Sequence, residues 1–236
     1  MRRALTVVAI TALVVAVIVA GAWIYFIKFT PDRARYPLRG LDVSHHQGEI
    51  DWGRAARDDV SFAYIKASEG GDFVDSDFGA NLAGARAAGL AVGAYHYFTL
   101  CRPGAEQAAN FLATVPRDQP LLPPAVDLEY EGNCAARPSS AEVRAELEAF
   151  LAPVEAAFGQ QAIFYITYQF HSDHIASLPQ RPLWVRWITW QPNHDDWLLW
   201  QYHDRGKVEG IAGDVDLNVL NGGTDVLSEL VALPPG

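Results

Sequence analysis

The sequence predicts an α/β fold: a distorted, incomplete (β/α)8 barrel with few helices in its C-terminal half, preceded by one N-terminal transmembrane helix. Three observations carry this. Residues Ala4–Ile27 form an uncharged apolar run, eight short runs rich in β-branched and aromatic residues follow beyond Pro31, and helical patterns separate the early runs but not the late ones. A chain of 236 residues suits one substantial domain better than two. The expected divisions are a cytoplasmic stub and transmembrane anchor over residues 1–30, a linker over 31–37 and the barrel over 38–236.

As a helix, Ala4–Ile27 would be about 36 Å long, enough to cross a hydrocarbon core of about 30 Å with some tilt. Arg2 and Arg3 favour a cytoplasmic start, and Trp23, Tyr25 and Phe26 mark the far interface. Ala20-Gly21-Ala22 fits a signal-peptidase site, and cleavage near Ala22 would release a secreted domain. The apolar run continues through Trp23–Ile27, which favours an uncleaved anchor held in the lipid bilayer by residues 4–27. Both readings place the domain in the periplasm or at the cell surface. In that oxidising setting Cys101 and Cys134, 33 positions apart, are expected to pair, with two free thiols as the alternative. Such a bridge stabilises by about 3–4 kcal/mol in the chain-entropy model.

The strand candidates are Gly40–Ser44, Ser61–Ala67, Ala91–Phe98, Pro124–Tyr130, Ala162–Tyr168, Leu183–Ile188, Leu198–Tyr202 and Val215–Val219. Their largely apolar composition fits strands buried on both faces of a parallel sheet. Helical spacing covers Phe78–Ala88, stopped by Gly89, and Gly104–Val115, stopped by Pro116. It covers Ser139–Phe158 most clearly, with Ser139 and Ser140 as cap candidates, one apolar stripe and a kink expected at Pro153. Eight strands imply closure into a barrel. The gaps from Ile188 to Leu198 and from Tyr202 to Val215 are too short for full helices and read as loops or hairpin-like connections.

Beyond residue 30 the chain has 15 cations against 28 anions, a net charge of −13. An acidic domain without basic runs is a poor partner for nucleic acid. There is no H-E-x-x-H, no G-x-x-x-x-G-K and no G-x-S-x-G, so metalloprotease, nucleotide and serine-hydrolase chemistry lack support. His45-His46 reads as a hydrogen-bonded structural pair, since no metal-ligand spacing accompanies it. His171 and His174 read as surface residues of a short polar helix, and Glu142, Glu146 and Glu148 as a solvated helix face.

Active sites of such barrels lie at the C-terminal ends of the strands. The polar residues there are Asp42, then Lys66 and Glu69, Tyr95 to Tyr97, Asp127 and Glu129, Tyr165, Trp200 to Tyr202, and Asp214 with Asp216. Carboxyls with aromatic rings suit a carbohydrate site. The central unit is Ala125-Val126-Asp127-Leu128-Glu129. Side chains at i and i+2 of a strand share a face, with Cα atoms about 6.6 Å apart. Two acids so placed among apolar residues raise a pKa, giving a protonated general acid beside a charged partner. Asp214 and Asp216 flank Val215, and alternation alone does not say which points inward.

Six motifs in order, Gly40-Leu41-Asp42-Val43-Ser44-His45-His46-Gln47-Gly48, Ala63-Tyr64-Ile65-Lys66-Ala67-Ser68-Glu69-Gly70, Gly93-Ala94-Tyr95-His96-Tyr97-Phe98, Asp127-Leu128-Glu129, Trp200-Gln201-Tyr202 and Val215-Asp216-Leu217-Asn218, resemble the glycoside hydrolase family 25 lysozymes, the Chalaropsis-type muramidases. The resemblance covers about residues 38–222. It implies cleavage of the β-1,4 bond between N-acetylmuramic acid and N-acetylglucosamine in peptidoglycan glycan strands, with net retention, by a monomer that needs no cofactor or metal. It implies Glu129 as general acid/base and Asp127 as the partner orienting the substrate's N-acetyl group. Asp42 and Asp216 complete the acidic cluster. It further implies Tyr95, Tyr165 and Trp200 along the sugar groove, with Gln47 and Glu69 as additional substrate-binding residues. One departure stands out: Leu183-Trp184-Val185-Arg186-Trp187 places Arg186 where the family carries a small residue. An inactive barrel that binds peptidoglycan as a scaffold, and a glycosidase for chitin or another N-acetylated glycan, are the competing readings.

Overall fold

The computed structural model describes residues 2–193 and 196–231, so the last five positions of the expected barrel domain, 232–236, lie outside the described residues. The chain forms two compact units, Met1–Thr30 and Pro31–Gly236. The first is helix α1 (Arg2–Lys28). Its Leu5–Lys28 stretch is long and apolar enough to cross a membrane, and none of it is buried within the protein. By composition alone it is a candidate span, a test that a signal sequence also passes.

The second unit is a closed barrel of eight strands. They are β1 (Arg39–Val43), β2 (Phe62–Glu69), β4 (Ala91–Tyr97), β5 (Ala125–Leu128), β6 (Ile163–Thr167), β7 (Leu183–Arg186), β8 (Trp197–Gly206) and β9 (Val215–Leu220). A two-residue strand, β3 (Phe73–Val74), folds back on β2 as a hairpin that the sequence reading did not anticipate. The order β1-β9-β8-β7-β6-β5-β4-β2 closes through a β1–β2 pairing. The strands run parallel except β9, which is antiparallel to both β8 and β1. The all-parallel expectation is therefore corrected at one strand. The physical cause is length: only Lys207–Asp214 joins β8 to β9, too few residues for a crossover helix, so the chain can only reverse.

Helices cover the first half. They are α2 (Trp52–Arg57), α3 (Phe78–Ala87), α4 (Gly104–Thr114) and α5 (Ser140–Phe158). Beyond β6 the α-helices among the described residues are the short α6 (Tyr168–His174) and α7 (Thr224–Leu230). Ser139 caps α5: its hydroxyl oxygen accepts from Glu142 N while Glu142 accepts from Ser139 N at 2.8 Å. Glu142 is thus a capping residue, and Glu146 Oε2 accepts from Gly104 N at 2.6 Å, stitching α5 to α4. All three glutamates are exposed, as a solvated face requires; Glu142 and Glu146 also serve backbone N–H groups, and Glu148 pairs with exposed Arg144. Pro153 lies inside α5, which is assigned as one continuous helix.

Alternation along the strands sorts the residues. Val126 and Leu128 face the helices, as does His96, which stacks on Phe150. Inside the barrel, Phe62, Tyr64, Ala125, Ile163, Tyr165, Trp184, Leu199 and Leu220 form a continuous apolar floor, against which Val226, Leu227 and Leu230 of α7 pack from below. Gly40 and Gly93 are required here, because a Cβ on either would enter the rings of Phe62 and Tyr64. The polar residues of the same inward rows lie above that floor.

A disulfide joins Cys101, after β4, to Cys134, after β5, with Cα atoms 6.3 Å apart. The double substitution Cys101→Ser, Cys134→Ser is expected to lower stability to urea by about 3–4 kcal/mol. A loss below about 1 kcal/mol would show that the loop is held by its hydrogen bonds alone.

Candidate active site

Four carboxyls meet at the barrel mouth. Asp42 is the penultimate residue of β1 and stands directly opposite Asp216 near the start of β9, because β9 runs the other way. Asp127 lies on β5 between Tyr97 of β4 and Tyr165 of β6, and Glu129 follows one residue beyond the strand. Asp42, Asp127, Glu129 and Asp216 line one pocket of about 320 Å³ together with Tyr95, Tyr97, Lys66, Glu69, His46 and Gln47. Asp214, by contrast, is exposed and paired with Lys207 at 2.7 Å, which holds its carboxyl below the usual range.

Burial is the main influence on all four acids, and it favours the neutral form. It raises Asp42 well above the usual carboxylate range, with the Asp216 charge adding to the effect. It raises Asp127 likewise, helped by Glu129 and opposed by Lys66. Glu129 is pushed up to about 7 by burial against the opposing charge of Arg186, and Asp216 to about 6. A fixed donor chain keeps this arrangement in order. The Trp184 indole N–H donates to Asn218 Oδ1 at 2.7 Å, which orients the amide so that Nδ2 donates to Asp42 Oδ1 at 2.6 Å. Asp42 and Asp216 stand opposite each other across β1 and β9, so a proton on either one relieves the repulsion between them. Asp127 Oδ1 is buried with no hydrogen-bond partner among the described residues.

Glu129 is positioned by the backbone on either side of it. Asn133 Nδ2 donates to Glu129 O at 3.0 Å and to Phe98 O at 2.9 Å, and Asn133 Oδ1 accepts from Leu100 N at 2.9 Å. Tyr97 donates to Glu131 O at 2.6 Å. The next side chain, Tyr130, bonds His174 Nε2 at 2.7 Å, and His174 Nδ1 meets Ser140 Oγ at 2.8 Å. His174 is therefore a buried structural residue, which corrects its reading as a surface histidine. His45 Nδ1 lies 2.8 Å from Asp75 and its ring stacks on His46, a structural arrangement.

A second cavity, a cleft of about 750 Å³, opens beside the first and is lined by Glu129, Tyr130, Glu131, Tyr168, Arg186, Trp187 and Trp190 among others. Tyr168 and Trp190 are 68% and 66% exposed, so their faces are free to stack. Glu129 belongs to both cavities.

Two aromatic assignments need correcting. Trp200 is 1% exposed, donates to Trp187 O at 2.7 Å and packs against Tyr36 and Trp197, so it presents no face to a sugar. Its neighbour Gln201 points inward, beside Asp216. Tyr165 faces inward but sits in the floor, edge-on to Trp184, and lines neither cavity. Tyr95, Gln47 and Glu69 do line the smaller pocket. Gln47 also accepts from Ser44 N at 2.9 Å, and Glu69 is paired with Lys66 at 2.7 Å. Tyr168, Trp187 and Trp190 escaped the sequence reading because they lie in segments taken as strand end and loop.

Known proteins share this architecture. The sequence model of glycosyl hydrolases family 25 matches residues 41–211. Lysozyme M1 of Streptomyces globisporus is 34% identical over 203 residues, 78% of this chain and 68% of its own. A family 25 glycosyl hydrolase from Bacillus anthracis superposes with a TM-score of 0.79 at 33% identity, covering 86% of this chain and 97% of that one. A bacterial lysozyme from Streptomyces coelicolor gives 0.72 at 32% identity over 82% and 96%.

Because Glu129 is raised from an ordinary 4.5 to about 7, the folded state favours its neutral form. That contribution to stability is complete below about pH 4.5 and is lost as pH rises through about 7. Glu129→Gln stays neutral throughout, so it is expected to be more stable than the parent at pH 8.5, by about 3 kcal/mol relative to their difference at pH 4. Parallel stability curves across that range in urea titrations would contradict the shift.

Proposed function

The chain belongs to glycosyl hydrolase family 25 and is a glycoside hydrolase of the lysozyme type; on that premise we propose that it cleaves the β-1,4 bond between N-acetylmuramic acid and N-acetylglucosamine with net retention, using Glu129 as general acid/base. One observation carries the reading: Glu129 forms part of the wall of both cavities, so a glycan threaded through them lays a linkage across its carboxyl. Its pKa of about 7 keeps it protonated in mildly acidic and neutral solution, ready to donate to the leaving oxygen.

Asp127 takes the second role. Its unpartnered Oδ1 is a buried acceptor at the pocket wall, suited to the N–H of a 2-acetamido group. Holding that N–H aims the acetamido oxygen at the anomeric carbon. As the glycosidic bond breaks, the oxygen closes a ring onto that carbon and positive charge develops on the amide. A carboxyl raised by burial has high proton affinity and stabilises that charge. Glu129, now ionised, then removes a proton from water, which opens the ring from the face the leaving group vacated. Two inversions give retention. Asp42 and Asp216 complete the acidic wall, with Asp42 oriented by the amide of Asn218. Tyr168, Trp187 and Trp190 offer faces for sugars in the larger cleft.

The membrane role of α1 is proposed on the same footing: an uncleaved anchor that keeps the catalytic domain outside the cytoplasm. Mass determination of the protein recovered from a high-salt-washed membrane fraction is expected to include residues 1–30, whereas a soluble form beginning near Ala22 would identify a cleaved signal.

Glu129→Gln is expected to lower turnover of purified peptidoglycan by about 10³-fold, and the parent's rate should fall as pH rises through about 7. Products should carry N-acetylmuramic acid at the new reducing end with β configuration before mutarotation. Equal rates for parent and variant would favour a binding scaffold, and N-acetylglucosamine at the reducing end would redirect the reading to another N-acetylated glycan.

A further inference from the structure

Among the described residues lining the larger cleft there is one cation, Arg186. It is the last residue of β7, so its side chain stands at the barrel mouth in the same inward row as Trp184. The side chain is 28% exposed. Its Nη2 donates to Asp204 Oδ2 at 3.0 Å, and its remaining N–H groups have no acceptor among the described residues. The smaller pocket is different. There Lys66 is engaged by Glu69 at 2.7 Å and lies over the ring of Tyr97, so its charge is already taken up.

A guanidinium is planar and carries five donors. With one edge fixed by Asp204 and the chain anchored in a strand, the group is pre-oriented, and its other donors face a cleft otherwise walled by rings, amides and carboxyls. The barrel unit as a whole carries a net charge of −13 and repels a polyanion at long range. A glycan bearing carboxylates therefore gains nothing from the overall field, and any preference for it must come from a local cation in the groove. Glu131 is exposed on the same wall, and Glu129 is mostly neutral below about pH 7, so it takes up little of the Arg186 charge there.

We propose that Arg186 is a specificity residue that binds a carboxylate appended to the sugar held in the larger cleft, so that the enzyme prefers anionic to neutral N-acetylated strands. This rests on the hydrolase reading above. The carboxylate has two sources in peptidoglycan: the lactyl ether of the muramyl sugar when its peptide has been removed, and the acidic residues of the stem peptide when it has not. The ligand chemistry is the same in both, a carboxylate on a tether of the glycan, and the guanidinium receives it through parallel N–H donors.

The test compares the parent, Arg186→Ala and Arg186→Lys on three substrates. These are intact peptidoglycan, strands stripped of peptide by an amidase so that the lactyl carboxylate is free, and the same stripped strands with that carboxylate converted to the neutral methylamide. For Arg186→Ala the expected result is a KM about tenfold higher on an anionic substrate, an unchanged KM on the methylamide, and a difference that shrinks at high salt. Arg186→Lys should fall between. A penalty on stripped strands assigns the contact to the lactyl group, and one confined to intact peptidoglycan assigns it to the peptide. Equal loss on all three substrates, or a loss in kcat with a displaced alkaline limb and unchanged KM, would overturn the proposal and leave Arg186 as a residue that only tunes Glu129. Failure of the parent to cleave any of the three would instead overturn the hydrolase reading itself.

Discussion

The mouth of this barrel is governed by the cost of burying carboxylates. Asp42, Asp127, Glu129 and Asp216 share a pocket in which Lys66, itself paired with Glu69, is the only lysine or arginine among the described lining residues, and the apolar cluster of Tyr64, Tyr165 and Trp184 lies within the same barrel. The four acids cannot all be charged there. The protein resolves this by letting protons remain on some of them and by orienting the rest through neutral donors. The Trp184–Asn218–Asp42 chain is the clearest device, because each link fixes the orientation of the next. On the proposed mechanism, acid catalysis near neutrality would be a by-product of how the site is kept stable: the same desolvation that destabilises ionised Glu129 leaves it with a proton to give.

Much of this was legible in the sequence. Strand and helix positions came from apolar runs and from punctuation such as Gly89 and Pro116, and the gap after β8 was too short for a helix. The acids were legible because charged residues inside apolar strands demand an explanation. What escaped followed from tertiary placement. Trp200 and Gln201 are adjacent, and only the register of β8 against β7 decides that the amide faces the acids while the indole joins the outer layer. The direction of β9 was masked in the same way, since an apolar strand looks alike whether parallel or antiparallel. His174 resembled a surface residue until α5, by its start at Ser140, brought a hydroxyl to its ring.

The loops after β4 and β5 show why a short barrel can hold its acid still without a full set of helices. Asn133 bonds backbone on both loops, the Cys101–Cys134 bridge closes the same seam covalently, and Tyr130 is tied to α6 and the start of α5. Rigidity is thus concentrated where the proton donor stands. The opposite wall, around Tyr168 and Trp190, is the more open one. A site that must accept a heterogeneous polymer while holding one carboxyl in place gains from that division of labour.

The reversed strand has one more effect, on polarity of entry and exit. Because β9 descends where its neighbours climb, the polypeptide both enters the barrel at Arg39 and quits it after Leu220 at the pole away from the acids, where Leu220 N meets Leu38 O at 3.2 Å. Fusions, linkers or partner modules spliced onto either side of the barrel accordingly grow from its base. Both attachment points thus lie at the end of the barrel away from the four acids, so the strands that carry those acids are not the ones a spliced segment must interrupt.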